Sequence, residues 1–141
     1  MTEPIPTRAA FPHWLELQTR WHDNDAYGHV NNVVYYAYFD TVINRYLIEQ
    51  GGLDLERGPA IGVCAESRCR YLAAAAFPDR LDAGLRVLKL GTSSVRYQLG
   101  IFKEETLCAL GEFVHVFVDR AARKPTPIPE PIRGALARLA G

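Results

Sequence analysis

Asn31 to Gly52, NNVVYYAYFDTVINRYLIEQGG, is the stretch that decides the fold of this 141-residue chain. Tyr35, Phe39, Val42 and Tyr46 recur at helical spacing, and Val34, Tyr38 and Leu47 widen the stripe. The pattern predicts a helix from about Asn32 to Gln50, with Asn31 or Asn32 as its N-cap and Gly51-Gly52 as its stop. Only Asp40, Thr41, Asn44, Arg45 and Glu49 mark a polar side. A helix this apolar must be covered over most of its circumference by other structure.

The material on either side of it is strand-like. Leu15, Leu17, Thr19 and Trp21 alternate with Glu16, Gln18 and Arg20, which predicts a half-buried strand over Trp14–Trp21. After the helix, Ala60–Tyr71, Leu81–Leu90, Val95–Lys103 and Thr106–Val118 read as four more strands. Phe77-Pro78-Asp79 and Gly91-Thr92-Ser93 punctuate them as turns. In the last strand Val114, Val116 and Val118 oppose Phe113, His115 and Phe117, so both faces are apolar, as in a central strand. Residues 1–12, with Pro4, Pro6 and Pro12, read as an irregular leader, and a terminal helix falls within residues 130–140. The order is strand, long helix, then strands joined by turns, which pair antiparallel. The class is therefore α+β, with one antiparallel sheet wrapped around one long central helix and a single domain over residues 1–141.

Hydrophobic residues make up 48% and charged residues 23%, enough to build a core. Sixteen Lys and Arg offset sixteen Asp and Glu, and a net charge of zero gives no electrostatic footprint for nucleic acid. Cys64, Cys69 and Cys108 form no CxxC pair, and no export segment precedes them, so a reducing, cytoplasmic setting is expected. Cys64 and Cys69, five apart, face opposite sides of a regular strand, and His115 reads as a satisfied core histidine. No apolar run is long enough to span a membrane.

Reactive groups concentrate just before the helix. His22, Asp23, Asp25 and His29 fall within eight residues, beside a helix N-terminus that presents free N–H groups. A carboxylate there suits acyl hydrolysis: it attacks a carbonyl or takes a proton from water, while the N–H groups of Asn32 and Val33 hold the oxyanion. The competing reading is a pair of aspartates that order a turn or cap the helix, and spacing alone slightly favours it. The four side chains crowd one loop without HExxH or Cys/His spacing, so no metal is expected. No nucleotide-binding glycine motif occurs, and no cofactor is implied. Gly91-Thr92-Ser93-Ser94 lacks the second glycine of a nucleophile elbow, since Val95 stands there; it is a hairpin turn whose hydroxyls could line an acyl pocket.

Arg20-Trp21-His22-Asp23-Asn24-Asp25-Ala26-Tyr27-Gly28-His29-Val30-Asn31-Asn32, followed by Tyr35 and the helix, resembles the signature of hotdog-fold acyl-CoA thioesterases. The closest resemblance is to the 4-hydroxybenzoyl-CoA thioesterase-like group. Gly91-Thr92-Ser93-Ser94 and Lys124-Pro125-Thr126-Pro127-Ile128-Pro129 extend the likeness across Leu15–Leu139. The resemblance implies a hotdog fold assembled as a homodimer or homotetramer, with Asp25 as nucleophile or general base and the Asn32 N–H as oxyanion donor. His29 matches the histidine of a His-Val-Asn-Asn motif, but Tyr27 stands where related plant acyl-carrier-protein thioesterases have asparagine. That leaves His29 either a catalytic or a loop-ordering role. Asp23 is expected to bond the loop backbone, and Tyr35, Ser93 and Ser94 to contact the substrate. The implied substrate is an acyl-CoA, with acyl carrier protein as the other possible carrier, and neither nucleic acid nor membrane is a partner. Two rival readings share the pocket: a hydratase or dehydratase of acyl thioesters, and a non-catalytic acyl-CoA-binding protein.

Overall fold

In the computed structural model, which describes residues 4–140, the long helix α1 (Val34–Gly51) starts two residues later than its apolar stripe predicts. Asn31 causes the delay. Its Oδ1 accepts the Val33 N–H at 3.0 Å and its carbonyl accepts the Val34 N–H at 2.9 Å, so the chain turns through Asn32 and Val33 first. Gly52, at φ 66°, ends the helix and donates to the Leu47 carbonyl. Tyr35, Tyr38, Phe39, Val42, Ile43, Tyr46 and Leu47 are the buried apolar side chains of α1, and Asp40, Thr41, Arg45 and Glu49 are exposed, as the stripe requires.

Five strands cover it: β1 (His13–Gln18), β2 (Ala60–Tyr71), β3 (Arg80–Leu90), β4 (Ser94–Lys103) and β5 (Thr106–Asp119). Their order is β1-β3-β4-β5-β2, every pair antiparallel, and a short helix α2 (Glu130–Ala137) follows. β3, β4 and β5 form the expected meander, with β5 internal. β2 does not pair with its successor. The Leu72–Asp79 connection carries the chain away from β5 toward the far side of the sheet, with the Leu72 and Ala73 N–H groups on the Cys108 carbonyl at 2.8 and 3.2 Å. β2 is thus an edge strand. Leu81, Leu85, Tyr97, Leu99, Ile101 and Phe117 join the stripe of α1 in one buried cluster. Among the described residues no helix is long and apolar enough to cross a membrane.

Close approach of helix and sheet depends on Gly111, where a Cβ would lie 2.7 Å from the Phe39 ring. Both are buried on every side, so neither can yield. Gly111→Ala should therefore cost about 1–3 kcal/mol, read as a lower urea midpoint with unchanged slope.

Several expectations need correction. β1 stops at Gln18, and Trp21 begins a 3₁₀ turn (Trp21–Asp23) with 77% of its surface exposed. The Asp23 carboxylate accepts the Arg20 N–H at 2.8 Å and bends the chain out of the strand. The leader is not wholly irregular: Arg8–Ala10 form a 3₁₀ turn, and Phe11 is buried edge-on against Trp14 and Phe102. Its Met1–Glu3 portion lies outside the described residues. A bulge between Cys64 and Glu66 inserts one residue into β2, so Cys64 opposes His115 and Cys69 opposes Gly111 on the same face of the sheet. His115 is buried, yet its Nδ1 has no partner among the described residues; burial lowers its pKa more than Asp40 raises it.

Candidate active site

The loop before α1 is a small closed hairpin. Asn24 and Val30 bridge, the Asp25 N–H donates to the His29 carbonyl at 3.0 Å, and the Gly28 N–H donates to the Asp25 carbonyl at 3.0 Å. Closing it requires Gly28 at φ 87°, where a Cβ would be strained. The Val30 N–H on the Ala75 carbonyl at 2.7 Å and the Phe77 N–H on Asn24 Oδ1 at 2.9 Å fasten it to the β2–β3 connection.

The same loop places its two aspartates in opposite environments. The Asp23 side chain is fully buried and accepts four hydrogen bonds. They come from the Arg20 N–H at 2.8 Å, the Arg20 guanidinium at 3.0 and 3.1 Å, and the Tyr38 hydroxyl at 2.7 Å. Burial by itself would raise this carboxyl, but the Tyr38 and Arg20 bonds outweigh it and hold the group below the usual carboxylate range. Its bonding capacity is spent on the fold. The Asp25 side chain is 19% exposed and accepts the Tyr27 N–H at 2.9 Å and the Asn31 amide at 3.1 Å. Partial desolvation opposes its charge, yet Tyr27, Asn31 and His29 together keep its pKa below the ordinary value. Asp25 is consequently ionised at neutral pH, with lone pairs to spare.

Asp25 lines a cavity of about 450 Å³ together with His29, Val30, Asn32, Tyr35 and Tyr71. Leu72, Ala73 and Ala74 give it an apolar wall. The Asn32 N–H makes no hydrogen bond among the described residues, whereas its carbonyl accepts the Tyr71 hydroxyl at 3.0 Å. Tyr35 is buried, packed edge-on against Tyr38 and Tyr71 at 5.9 and 5.6 Å, and burial pushes its hydroxyl up to about 12. His29 is half exposed, lies nearly parallel to the Tyr27 ring, and holds Nδ1 3.9 Å from Asp25 Oδ1, beyond hydrogen-bond reach. His22 is exposed, and none of these hydrogen bonds involves its side chain. Among the described residues no three His, Cys, Asp or Glu side chains form a metal-holding group.

Asp25, His29, Asn32 and Tyr35 thus come together. Ser93 and Ser94 do not join them within this chain. They sit at the β3–β4 turn, where Ser94 accepts the Gly91 N–H at 2.8 Å and Ser93 the Phe117 N–H at 2.7 Å through their carbonyls. The turn follows the end of β3, whose start lies by the connection that fastens the aspartate loop, so the eleven residues of that strand stand between them. Two contributors escape a reading of the sequence. Asn31 reads there only as a cap, although an amide carries both a donor and an acceptor. Tyr71 arrives from β2, and no local spacing announces it.

A five-stranded antiparallel sheet wrapped on one long helix is the architecture of hotdog-fold thioesterases. The chain belongs to the thioesterase-like superfamily, whose family model matches residues 19–136. The PA5185 protein of Pseudomonas aeruginosa strain PAO1 has a similar structure, 54% identical with 98% of each chain covered and a TM-score of 0.94. A thioesterase of Thermus thermophilus, solved with coenzyme A and zinc, is 31% identical over 92% of this chain and 95% of its own, with a TM-score of 0.79. The YsmA protein of Bacillus subtilis (strain 168) is 26% identical over 118 residues, 83% of this chain and 80% of its own.

Proposed function

We propose that this protein hydrolyses acyl-CoA thioesters to the free acid and coenzyme A thiol, with Asp25 as the reacting carboxylate and the Asn32 N–H as oxyanion donor. One observation carries the reading: Asp25, with an ionised carboxylate, and Asn32, with an unpaired backbone N–H, line the same cavity beside the first turn of α1. The thioester carbonyl enters between them. Asp25 either attacks the carbonyl carbon, giving an acyl anhydride that water then hydrolyses, or removes a proton from the water that attacks. In both routes negative charge develops on the carbonyl oxygen, which the Asn32 N–H and the adjoining helix terminus stabilise. The sulfur leaves with the electron pair of the C–S bond and takes up a proton. Tyr35, neutral at working pH, forms part of the acyl wall. His29 shields and orients the loop. The coenzyme A found with the Thermus thermophilus relative supports coenzyme A as the carrier. Thiol release from acyl-CoAs running from acetyl to palmitoyl, with benzoyl and hydroxybenzoyl included, tests this directly. Silence across that panel with folded protein overturns it.

The same reading includes self-assembly. β2 leaves one edge unpaired, and Gly62–Arg68 are exposed along it, Val63 and Cys64 among them. Antiparallel pairing of this edge with a second copy satisfies the open backbone groups and joins two sheets into one. Light scattering at micromolar concentration should give twice the chain mass or a multiple of it, and a monomer mass would refute the assembly.

A further inference from the structure

Building on the assignment of Asp25, we propose that Asn31 is a positioning residue for the reaction. Its one side-chain amide sets the orientation of the Asp25 carboxylate and the turn that presents the Asn32 N–H. Four bonds fix Asn31. Its backbone N–H donates to the Asp23 carbonyl at 3.0 Å, and its carbonyl accepts the Val34 N–H at 2.9 Å. Its Oδ1 accepts the Val33 N–H at 3.0 Å, and its Nδ2 donates to Asp25 Oδ2 at 3.1 Å. The two amide ends are not interchangeable: a flip would set oxygen against the carboxylate and –NH₂ against the Val33 N–H. The Asn32 peptide unit lies between these anchors, so carboxylate and N–H are held relative to each other by one side chain. The structural aspartate, Asp23, supports the same residue through its carbonyl.

Little else orients Asp25. From its own loop come the Tyr27 N–H on Oδ1 and the His29 ring at 3.9 Å; from α1 and β2 the cavity presents the phenols of Tyr35 and Tyr71, and among the described residues no Lys or Arg lines it. Oδ2 has Asn31 as its hydrogen-bond donor. Rotation of the carboxylate is therefore limited by two donors, the Tyr27 N–H on Oδ1 and the Asn31 amide on Oδ2, of which Asn31 is the side chain, and a misoriented carboxylate slows chemistry without weakening binding.

Asn31→Asp separates positioning from capping. Aspartate keeps an oxygen for the Val33 N–H and suits a helix N-terminus, so the fold should hold, with the melting temperature lowered only by the like-charge pair it forms with Asp25. It removes the donor and sets a second carboxylate against Asp25. We expect kcat to fall by about 10- to 100-fold with KM little changed. The acidic limb of kcat/KM should move to higher pH, because repulsion raises the pKa of a group that must be ionised. Asn31→Ser, which keeps a capping oxygen without adding charge, should lower kcat with a smaller shift of the limb. If Asn31→Asp misfolds, the kcat of Asn31→Ser decides. Wild-type kcat and an unmoved limb in a folded Asn31→Asp protein, or wild-type kcat in Asn31→Ser, overturn the proposal. An Asp25→Asn control distinguishes the two failures: full activity there removes the assignment of Asp25 itself, whereas an inactive control beside a normal Asn31 variant removes only the role of Asn31.

Discussion

Asp25→Asn should reduce thioester hydrolysis by about 10²- to 10⁴-fold if Asp25 is a general base, and further if it is the nucleophile. The change is nearly isosteric. An amide oxygen at the Oδ1 position still accepts the Tyr27 N–H, so the Asp25–Gly28 turn survives, as does the backbone bond from Gly28 that closes it. What disappears is the negative charge, together with the Oδ2 acceptor for the Asn31 amide, and a neutral amide neither attacks a thioester nor takes a proton from water. Thiol release followed with a chromogenic disulfide reagent, beside circular dichroism of the same sample, reads chemistry and fold separately. Undiminished turnover in a folded variant would remove Asp25 from the mechanism. The pH profile gives a second check. Hydrogen bonds hold the Asp25 pKa below its ordinary value, so the wild-type rate should not lose this ionisation between about pH 7 and 5.

The central helix and the faces of β4 and β5 are legible in the sequence because their signals are local. Tyr35, Phe39, Val42 and Tyr46 repeat with the turn of one helix, and Tyr97, Leu99 and Ile101 alternate with the pleat of one strand. Features that depend on a distant partner escape. Nothing near β2 says that it pairs with β5 and leaves an open edge, because the Leu72–Asp79 connection looks like any turn. Cys64 and Cys69 change relative face through a single inserted residue, a feature of the ladder and not of composition. The reactive loop is intermediate. Its residues announce a site by density, but only the bonds from Arg20 and Tyr38 show which aspartate is consumed by the fold. Asn31, adjacent to the predicted donor Asn32, matters through a bond to a residue six positions back in a turn that Gly28 makes possible.

Asp23→Ala should produce the reverse split, with a large loss of stability and an indirect loss of activity. The substitution leaves the Tyr38 hydroxyl buried without its acceptor and deprives the Arg20 N–H and guanidinium of theirs. Removing one member of such a buried, charge-assisted set costs about 3 kcal/mol, which lowers the melting temperature of a domain this size by about 10 °C. Arg20 is itself 59% exposed, so most of the penalty falls on Tyr38 and on the 3₁₀ turn that the carboxylate holds. Tyr38→Phe should therefore cost less, about 1 kcal/mol, because Asp23 keeps its bonds from Arg20. In the double variant the two losses should not add, since the Tyr38–Asp23 hydrogen bond is common to both. The pH dependence has a definite sign. The folded pKa of Asp23 lies below its ordinary value of 3.8, so its contribution is complete above that value and is lost as pH falls through the folded pKa. The gap in unfolding free energy between wild type and Asp23→Ala should be constant near neutrality and shrink in acid. A gap that widens in acid, or equal melting temperatures at neutral pH, would show that Asp23 does not hold the loop on which Asp25 is mounted.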